Sequence, residues 1–383
     1  MTVLVLLSET RQACGGIISG IYRWANAHNW NVHVVERAGE SGDVAKLLRF
    51  WSPDGCIVEA GGSIAYAPED FGRIPTVFID RDSLETPNHD VVRLDCASLG
   101  EQAAQVLLSC DFAQYVYVAY PDPRFWCRER RESFLGAMRL NGIVPLVFDA
   151  PEKDLTHWAQ KLLEWLKGVK LPCGIFAAND TVAAEVLQIC KGLGLEVPRD
   201  ATIVGVDDDK QLCENTQPSL ASFALDREKA GFLAAQTLEA RIRHPDAKRK
   251  DVLYPVLRLV KRLSLRRGGN VAMDAHVFAM LDVIHRRSCQ GISSRDVAQV
   301  AGCSRRLAEL RFREACGRSI GDELRAVRHE NACDLLRSSG LPILAVAESV
   351  GYSSEDALEK LFLKLSGCSP YRWRERELKR RFS

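Results

Sequence analysis

Nowhere in the 383 residues does an apolar run approach the 18 or more that a membrane-crossing helix needs, so no membrane partner is expected. The thirteen cysteines include no Cys-x-x-Cys pair and make an odd total, which removes zinc-ligand spacing and argues against a disulfide framework. They read as mostly buried thiols in a reducing cytosol, with no metal site. Catalytic signatures are missing too: there is no P-loop, His-Glu-x-x-His or Gly-x-Gly-x-x-Gly. A non-enzyme with no cofactor is the expectation. The first residues, Met1 to Ser8, lack a basic start and read as a buried parallel strand rather than a signal peptide.

Net charge is also small, +1 overall, but unevenly spread. Gly268 to Ser383 holds 19 Lys and Arg against 15 Asp and Glu, leaving 32 against 35 for the rest. Any polyanion contact is therefore expected in the C-terminal part. A chain this long exceeds one hydrophobic core and predicts two or three domains.

Over the first 263 residues, strand-like and helix-like runs alternate. Thr2–Leu7, Val32–Val35, Gly55–Val58, Thr76–Ile79, Val91–Leu94, Tyr115–Tyr120, Gly174–Ala177 and Thr202–Val206 are short apolar runs bounded by turn residues. Amphipathic stretches lie between them, among them Ile17–Ala27, Ser98–Ser109, Arg128–Leu140, Thr156–Leu166 and Thr181–Lys191. Such alternation predicts parallel sheets with helices on both faces, in two lobes. Ligands bind such sheets at the C-terminal ends of strands. Polar residues there include Glu9 and Arg11 after the first strand, Trp126 and Arg130 after Tyr115–Tyr120, Asn179-Asp180 after Gly174–Ala177, and Asp207-Asp208-Asp209 after Thr202–Val206. Carboxylate, amide and guanidinium groups pair with vicinal hydroxyls, and an aromatic face suits the C–H side of a sugar ring. Asn179 and Asp180 equally fit a helix cap, and Asp207–Asp209 a solvated turn.

Four stretches occur together: Ala177-Ala178-Asn179-Asp180-Thr181, Gly194-Leu195-Glu196-Val197-Pro198-Arg199-Asp200, Ile203-Val204-Gly205-Val206-Asp207-Asp208 and Pro218-Ser219-Leu220-Ala221-Ser222. In this order they resemble the ligand-sensing domain of the lactose/galactose-repressor and periplasmic sugar-binding superfamily, over roughly residues 1–263. The resemblance implies that Arg130, Asn179 and Asp207 contact sugar hydroxyls, with Trp126 as a stacking face. The loop Ala13-Cys14-Gly15-Gly16 is small where that family offers a polar or aromatic contact. Repressors of that family begin with a helix-turn-helix, whereas this chain begins with its first strand, so a DNA reader is expected elsewhere.

The alternation stops at Arg258–Asn270, and a linker is expected at 264–273. Only helical runs follow: Ala275–Arg287, Ser294–Ala301, Arg305–Ala315, Gly321–Ser338, Ile343–Val350, Glu355–Leu365 and Tyr371–Arg381. Two units, about 294–315 and 343–365, read as helix, tight turn, helix. Each has an Ala four residues before a Gly, Ala298 before Gly302 and Ala347 before Gly351. The small residue permits a close helix crossing, and Gly permits the positive φ of the turn. The connecting helix of about 18 residues spans on the order of 27 Å, near one turn of DNA at about 34 Å.

Ser304-Arg305-Arg306, Phe312-Arg313, Pro342-Ile343, Val346-Ala347 and Gly367-Cys368-Ser369-Pro370-Tyr371-Arg372-Trp373-Arg374 resemble the AraC/XylS-type DNA-binding domain, over about 274–374. The resemblance implies base or phosphate contacts from Ser304, Arg305, Arg306, Glu309 and Arg313 in the first unit. In the second it implies Ser354, Glu355, Lys360 and Lys364. The acidic Glu355, Asp356 and Glu359 weaken the second unit's appeal to phosphate, so the first is expected to supply most specificity. Ala308 stands where relatives place a larger core residue, and Leu307 or Leu310 is expected to fill that space.

The fold expected is therefore an α/β two-lobed periplasmic-binding-protein-like domain (1–263) plus an all-α domain (274–383) with two helix-turn-helix units. That order resembles the xylose-operon regulators of the XylR type. The resemblance implies a cytoplasmic homodimer on operator DNA, a sugar effector such as xylose, and RNA polymerase as partner if it is an activator. Closure of the lobes on sugar would reposition the DNA-binding domains. Another sugar or a nucleobase as effector, repression instead of activation, a transport component and an enzyme remain the alternatives.

Overall fold

The computed structural model describes residues 1–8, 10, 14–36, 44–62, 66–122, 124–265 and 274–382. Of the expected linker, 266–273 lies outside these; Ser264 and Leu265 are buried.

In the first half, chain order is β1 (Thr2–Leu7), α1 (Gly15–Ala27), β2 (Asn31–Glu36), α2 (Val44–Trp51), β3 (Gly55–Glu59), β4 (Thr76–Ile79), β5 (Asp90–Leu94) and α3 (Cys96–Leu108). There follow β6 (Gln114–Val118), α4 (Phe125–Leu140), β7 (Leu146–Phe148), α5 (Leu155–Leu166), β8 (Cys173–Ala177), α6 (Asp180–Gly192), β9 (Ala201–Val206) and α7 (Lys210–Asn215). The α/β part ends with β10 (Ala221–Leu225), α8 (Arg227–Arg243), β11 (Asp251–Tyr254) and β12 (Val256–Val260). Two six-stranded sheets result, ordered β11-β5-β4-β3-β1-β2 and β12-β10-β9-β8-β6-β7. The pairs β1/β2, β1/β3, β3/β4, β4/β5, β5/β11, β6/β8 and β8/β9 are parallel. Both orders reverse at one point, next to β1 in the first sheet and next to β6 in the second. That is where open α/β sheets bind ligands.

β1, β3, β4 and β8 are buried on both faces, which accounts for apolar residues at consecutive positions rather than an alternating pattern. The chain divides into two compact units: Met1–Gln105 with Ala119–Trp158 and Phe223–Leu259, and Val106–Val118 with Ala159–Ser222 and Val260–Ser383.

The remainder is helical: α9 (Ala275–Arg287), α10 (Ser294–Val300), α11 (Arg305–Cys316), α12 (Ile320–Ser338), α13 (Ile343–Ser349), α14 (Glu355–Ser366) and α15 (Pro370–Phe382). Ser293 and Asp296 form a reciprocal capping box at the start of α10. Gly302 and Gly351 have φ of +62° and +83°, as the tight turns require. α12 serves two cores. Ile320, Leu324 and Val327 pack with Val277, Met280 and Phe312, while Ala332 and Leu336 pack with Val346, Leu358 and Phe362. Ala298 and Ala347 are buried in their respective cores. Ala308 itself is fully buried, whereas Leu307 and Leu310 are exposed; they do not fill the space beside it. The helix phase decides this, since 308 and 312 share the inward face.

Candidate functional site

On α4, Trp126 and Arg130 lie one turn apart, and the guanidinium carbon sits 4.7 Å from the centre of the indole ring. Arg130 is buried. Trp126 lines a cavity of about 390 Å³ together with Gly61, Arg81, Asp82, Tyr120 and Arg128. The Tyr120 ring lies 5.5 Å from that of Trp126. An aromatic wall with guanidinium and carboxylate groups is chemistry suited to a hydroxylated ring.

Glu59 and Asp80, which the motif-based reading passes over, also stand at strand ends. Glu59 is buried and accepts from the Ser8 backbone N–H at 3.1 Å, from the Gly61 N–H at 2.8 Å and from the Ser8 hydroxyl. Asp80 has φ +55° and accepts from the Tyr254 hydroxyl at 2.9 and 3.0 Å. Arg227 is 3.7 Å away. Burial pushes the Asp80 carboxyl up to about 6, with Glu59 adding to the rise and Arg227 and Arg130 opposing it. The signal was available: the strand-end rule applied to β3 and β4 leads to both residues.

In the second sheet, Asn179 caps α6, its side-chain oxygen accepting from Val182 N–H at 3.0 Å. The cap reading of Asn179 is therefore realised. Asp207 and Asp208 have φ of +108° and +53°, consecutive non-glycine residues in a costly backbone region. The Asp180 carboxylate holds this loop. It accepts from Asp209 N–H at 2.8 Å and from the Ser222 hydroxyl at 2.5 Å, and that hydroxyl accepts from Asp208 N–H at 3.0 Å. A Cβ at Gly205 would lie 2.2 Å from the Asp180 oxygen, so any side chain there would displace the carboxylate. Glu9 and Arg11 lie outside the described residues.

Burial, reinforced by the charge of Asp207, pushes the Asp180 carboxyl up to about 7. The folded protein thus holds this proton more tightly than the unfolded chain, whose carboxyl titrates near 3.8. The associated stability is fully present below about pH 4 and lost as pH rises through about 7. Asp180→Asn removes the titration but leaves one accepting oxygen where the carboxylate has two. It is expected to flatten the fall of Tm between about pH 4 and 7 and, because its NH2 then meets the Asp209 N–H or the Ser222 hydroxyl, to lower Tm overall by about 2–4 °C. A variant whose Tm tracks the wild type in parallel across that range would remove Asp180 as the cause.

In the helical part, Ser304 caps α11 by accepting from Leu307 N–H at 3.4 Å. Arg305, Arg306 and Arg313 are exposed, and Glu309 is half-buried. Arg306, Glu309 and Arg313 recur at helical spacing and share one side. Ser354 caps α14 through Ala357 N–H at 3.4 Å. Glu355 and Lys360 are exposed, while Lys364 lies 3.5 Å from Asp322. Lys364 is thus already drawn toward a carboxylate, which lowers its call on phosphate. The second turn packs closely: a Cβ at Gly351 would lie 2.7 Å from Gly291 N.

All thirteen cysteines are free thiols. Among the described residues no group of three or more His, Cys, Asp or Glu is placed to hold a metal ion, and no helix is long and apolar enough to cross a membrane.

Residues 104–265 match the periplasmic binding protein-like domain, and residues 297–376 match a helix-turn-helix domain. The xylose operon regulatory protein of Escherichia coli (strain K12) is 25% identical over 374 residues, covering 95% of this chain and 93% of that protein. The solved structure of the xylose-binding transcription activator xylR matches with a TM-score of 0.59 at 23% identity, covering 98% of each chain. The lac repressor dimer bound to operator and the anti-inducer ONPF matches over 69% of this chain and 94% of that one, with a TM-score of 0.54 at 20% identity.

Proposed function

We propose that this chain, a sugar-sensing DNA-binding transcription regulator of the xylose-operon-regulator type, takes a pentose such as D-xylose as effector and activates a pentose-catabolic operon as a homodimer. What carries the reading is the run of similarity through both domains, 95% of this chain against 93% of a xylose operon regulator. Its partners are operator DNA and RNA polymerase in the cytoplasm, and it turns over no substrate. Trp126, Arg130, Asn179 and Asp207 contact the sugar, with Glu59 and Asp80 added from the first sheet. Effector binding favours a closed sensor, and closure biases the DNA-binding helices. A full switch from 1:99 to 99:1 needs a preference of about 5.5 kcal/mol.

Thermal-shift titration with pentoses, hexoses and nucleobases tests the effector. A ligand at 100 times its Kd stabilises by about 2.7 kcal/mol, so a pentose is expected to raise Tm clearly. A shift only with a nucleobase, or with no monosaccharide, defeats the sugar assignment.

In the DNA interface, Ser304, Arg305, Arg306, Glu309 and Arg313 of the first unit read the operator. Ser354, Glu355, Lys360 and Lys364 of the second contribute less. Arg306→Ala is expected to cost about 1–3 kcal/mol and to relax base preference at one position. Lys360→Ala is expected to weaken all sequences alike and to reduce the salt slope by about 0.9. Binding selections with randomised operator positions check this; a larger loss of discrimination in Lys360→Ala reverses the ranking.

A further inference from the structure

We infer that Arg262 is the positioning residue through which the effector loop acts on the first helix-turn-helix unit. The inference rests on the reading of Asp207 as an effector contact. Arg262 is buried, and one of its terminal nitrogens lies 2.8 Å from the carboxylate of Asp208, the residue after Asp207. Its other terminal nitrogen donates to the Leu220 carbonyl at 2.9 Å. A buried arginine with a buried carboxylate is costly to separate, so the two move as one body.

The next residue faces the other way. Leu263 is buried in the core formed by Val277, Met280, Leu281 and Ile284 of α9 and by Phe312 of α11. Ser264 then anchors the segment on the sheet: its hydroxyl donates to the Ile203 carbonyl at 2.7 Å and accepts from Ala221 N–H at 2.8 Å. Three consecutive residues therefore join the Asp207–Asp209 loop, the middle of β9 and the core beneath the arginine-bearing helix.

A second strut runs alongside. Asp209 caps α7, so a shift of the loop carries that helix with it. At its far end the Thr216 carbonyl accepts from Arg286 of α9 at 2.9 Å. Both connections end on α9, which packs under α10 and α11. Displacement of Asp208 is thus transmitted through closely packed, hydrogen-bonded side chains.

The test uses the full chain, amide hydrogen exchange and D-xylose. In the wild type, saturating D-xylose is expected to slow exchange in α9 by about tenfold, within the usual range of coupling between sites. Arg262→Met is expected to keep D-xylose affinity within about threefold by calorimetry while losing that response in α9. Arg262→Lys, which restores the charge, is expected to recover part of it. A merely structural role would loosen α9 yet leave the response to sugar intact. A sugar-free comparison decides the matter separately. In the wild type β9 and α9 are expected to exchange through one shared opening, and Arg262→Met is expected to separate their protection by about tenfold or more. Should Arg262→Met not fold, Asp208→Asn removes the same ion pair and is expected to do the same. If wild-type D-xylose binding is absent, the pentose reading fails and the shared-opening comparison still stands. An Arg262→Met or Asp208→Asn protein that retains the shared opening of β9 and α9 overturns the inference, as does one that retains the D-xylose response.

Discussion

Gly231→Ala is expected to cost the sensor about 3 kcal/mol or more, at the upper end for overpacked positions, and to lower Tm by roughly 6–12 °C. The cause is the crossing of α1 and α8. A Cβ at Gly231 would lie 1.9 Å from the Ile17 carbonyl oxygen and 2.8 Å from its carbon. A Cβ at Gly20 would lie 1.9 Å from the Glu228 carbonyl oxygen and 2.6 Å from Phe232 N. Both obstacles are helical backbone, which cannot rotate aside as a side chain can. The helices must part, and the contacts of Ile17, Ile21, Phe232 and Ala235 loosen with them. Ordinarily Gly→Ala within a helix is favourable by about 0.5–1 kcal/mol. Gly136, in α4 with nothing within 4 Å of its Cβ position, supplies the control. Gly136→Ala is expected to hold or raise Tm while Gly231→Ala collapses it. Equal Tm values for the two variants would show that the crossing tolerates a methyl group. The effector site is expected to suffer too, because α1 follows β1, which leads into Ser8, and α8 leads to the strand ending at Tyr254.

The second large effect concerns Arg130. Arg130→Met preserves much of the packing against Trp126 but removes the charge. Loss of one partner from a buried charged set costs about 2–5 kcal/mol, so effector affinity is expected to fall by about 30-fold or more. A shift in pH dependence should accompany it. Burial already raises the Asp80 carboxyl to about 6, and Arg130 is one of the charges opposing that rise. Without Arg130 the carboxyl rises further. If ionised Asp80 accepts from a sugar hydroxyl, wild-type binding weakens as pH falls through about 6, and the variant's weakens at higher pH. Calorimetric titration with D-xylose from pH 5 to 8 measures both quantities. Unchanged affinity together with an unchanged midpoint would take Arg130 out of the effector site.

Features that depend on near neighbours were legible in the chain itself. β1 and β4 have the bounds their apolar runs predict, and α9 spans Ala275–Arg287 as its spacing requires. The glycines of the two turns and the alanines before them are local requirements, met where the residue types indicate. A strand buried on both faces or a helix with one apolar side announces itself through the same periodicity that forms it.

What depends on distant partners was not legible. The sequence pattern does not mark α8, because Ala230, Phe232, Ala234, Ala235 and Leu238 are buried around much of its circumference, which blurs the one-sided pattern. β11 joins the first sheet by pairing with β5, some 160 residues earlier, and neither Asp251 nor Leu253 is buried. Glu59 and Asp80 gain their environment only when Ser8, Arg227 and Tyr254 arrive from remote parts of the chain. Arg262, Leu263 and Ser264 read as the end of a domain and the start of a linker, yet they are held by Asp208, the helical core and Ile203. The chain by itself determined two sensor sheets, two helix-turn-helix units and the class of molecule each meets. Which side chains share a pocket, and which residues tie the sensor's loop to the DNA-binding helices, the tertiary structure alone decided. Burial and close packing between residues far apart in sequence set those pairings, and no local spacing encodes them.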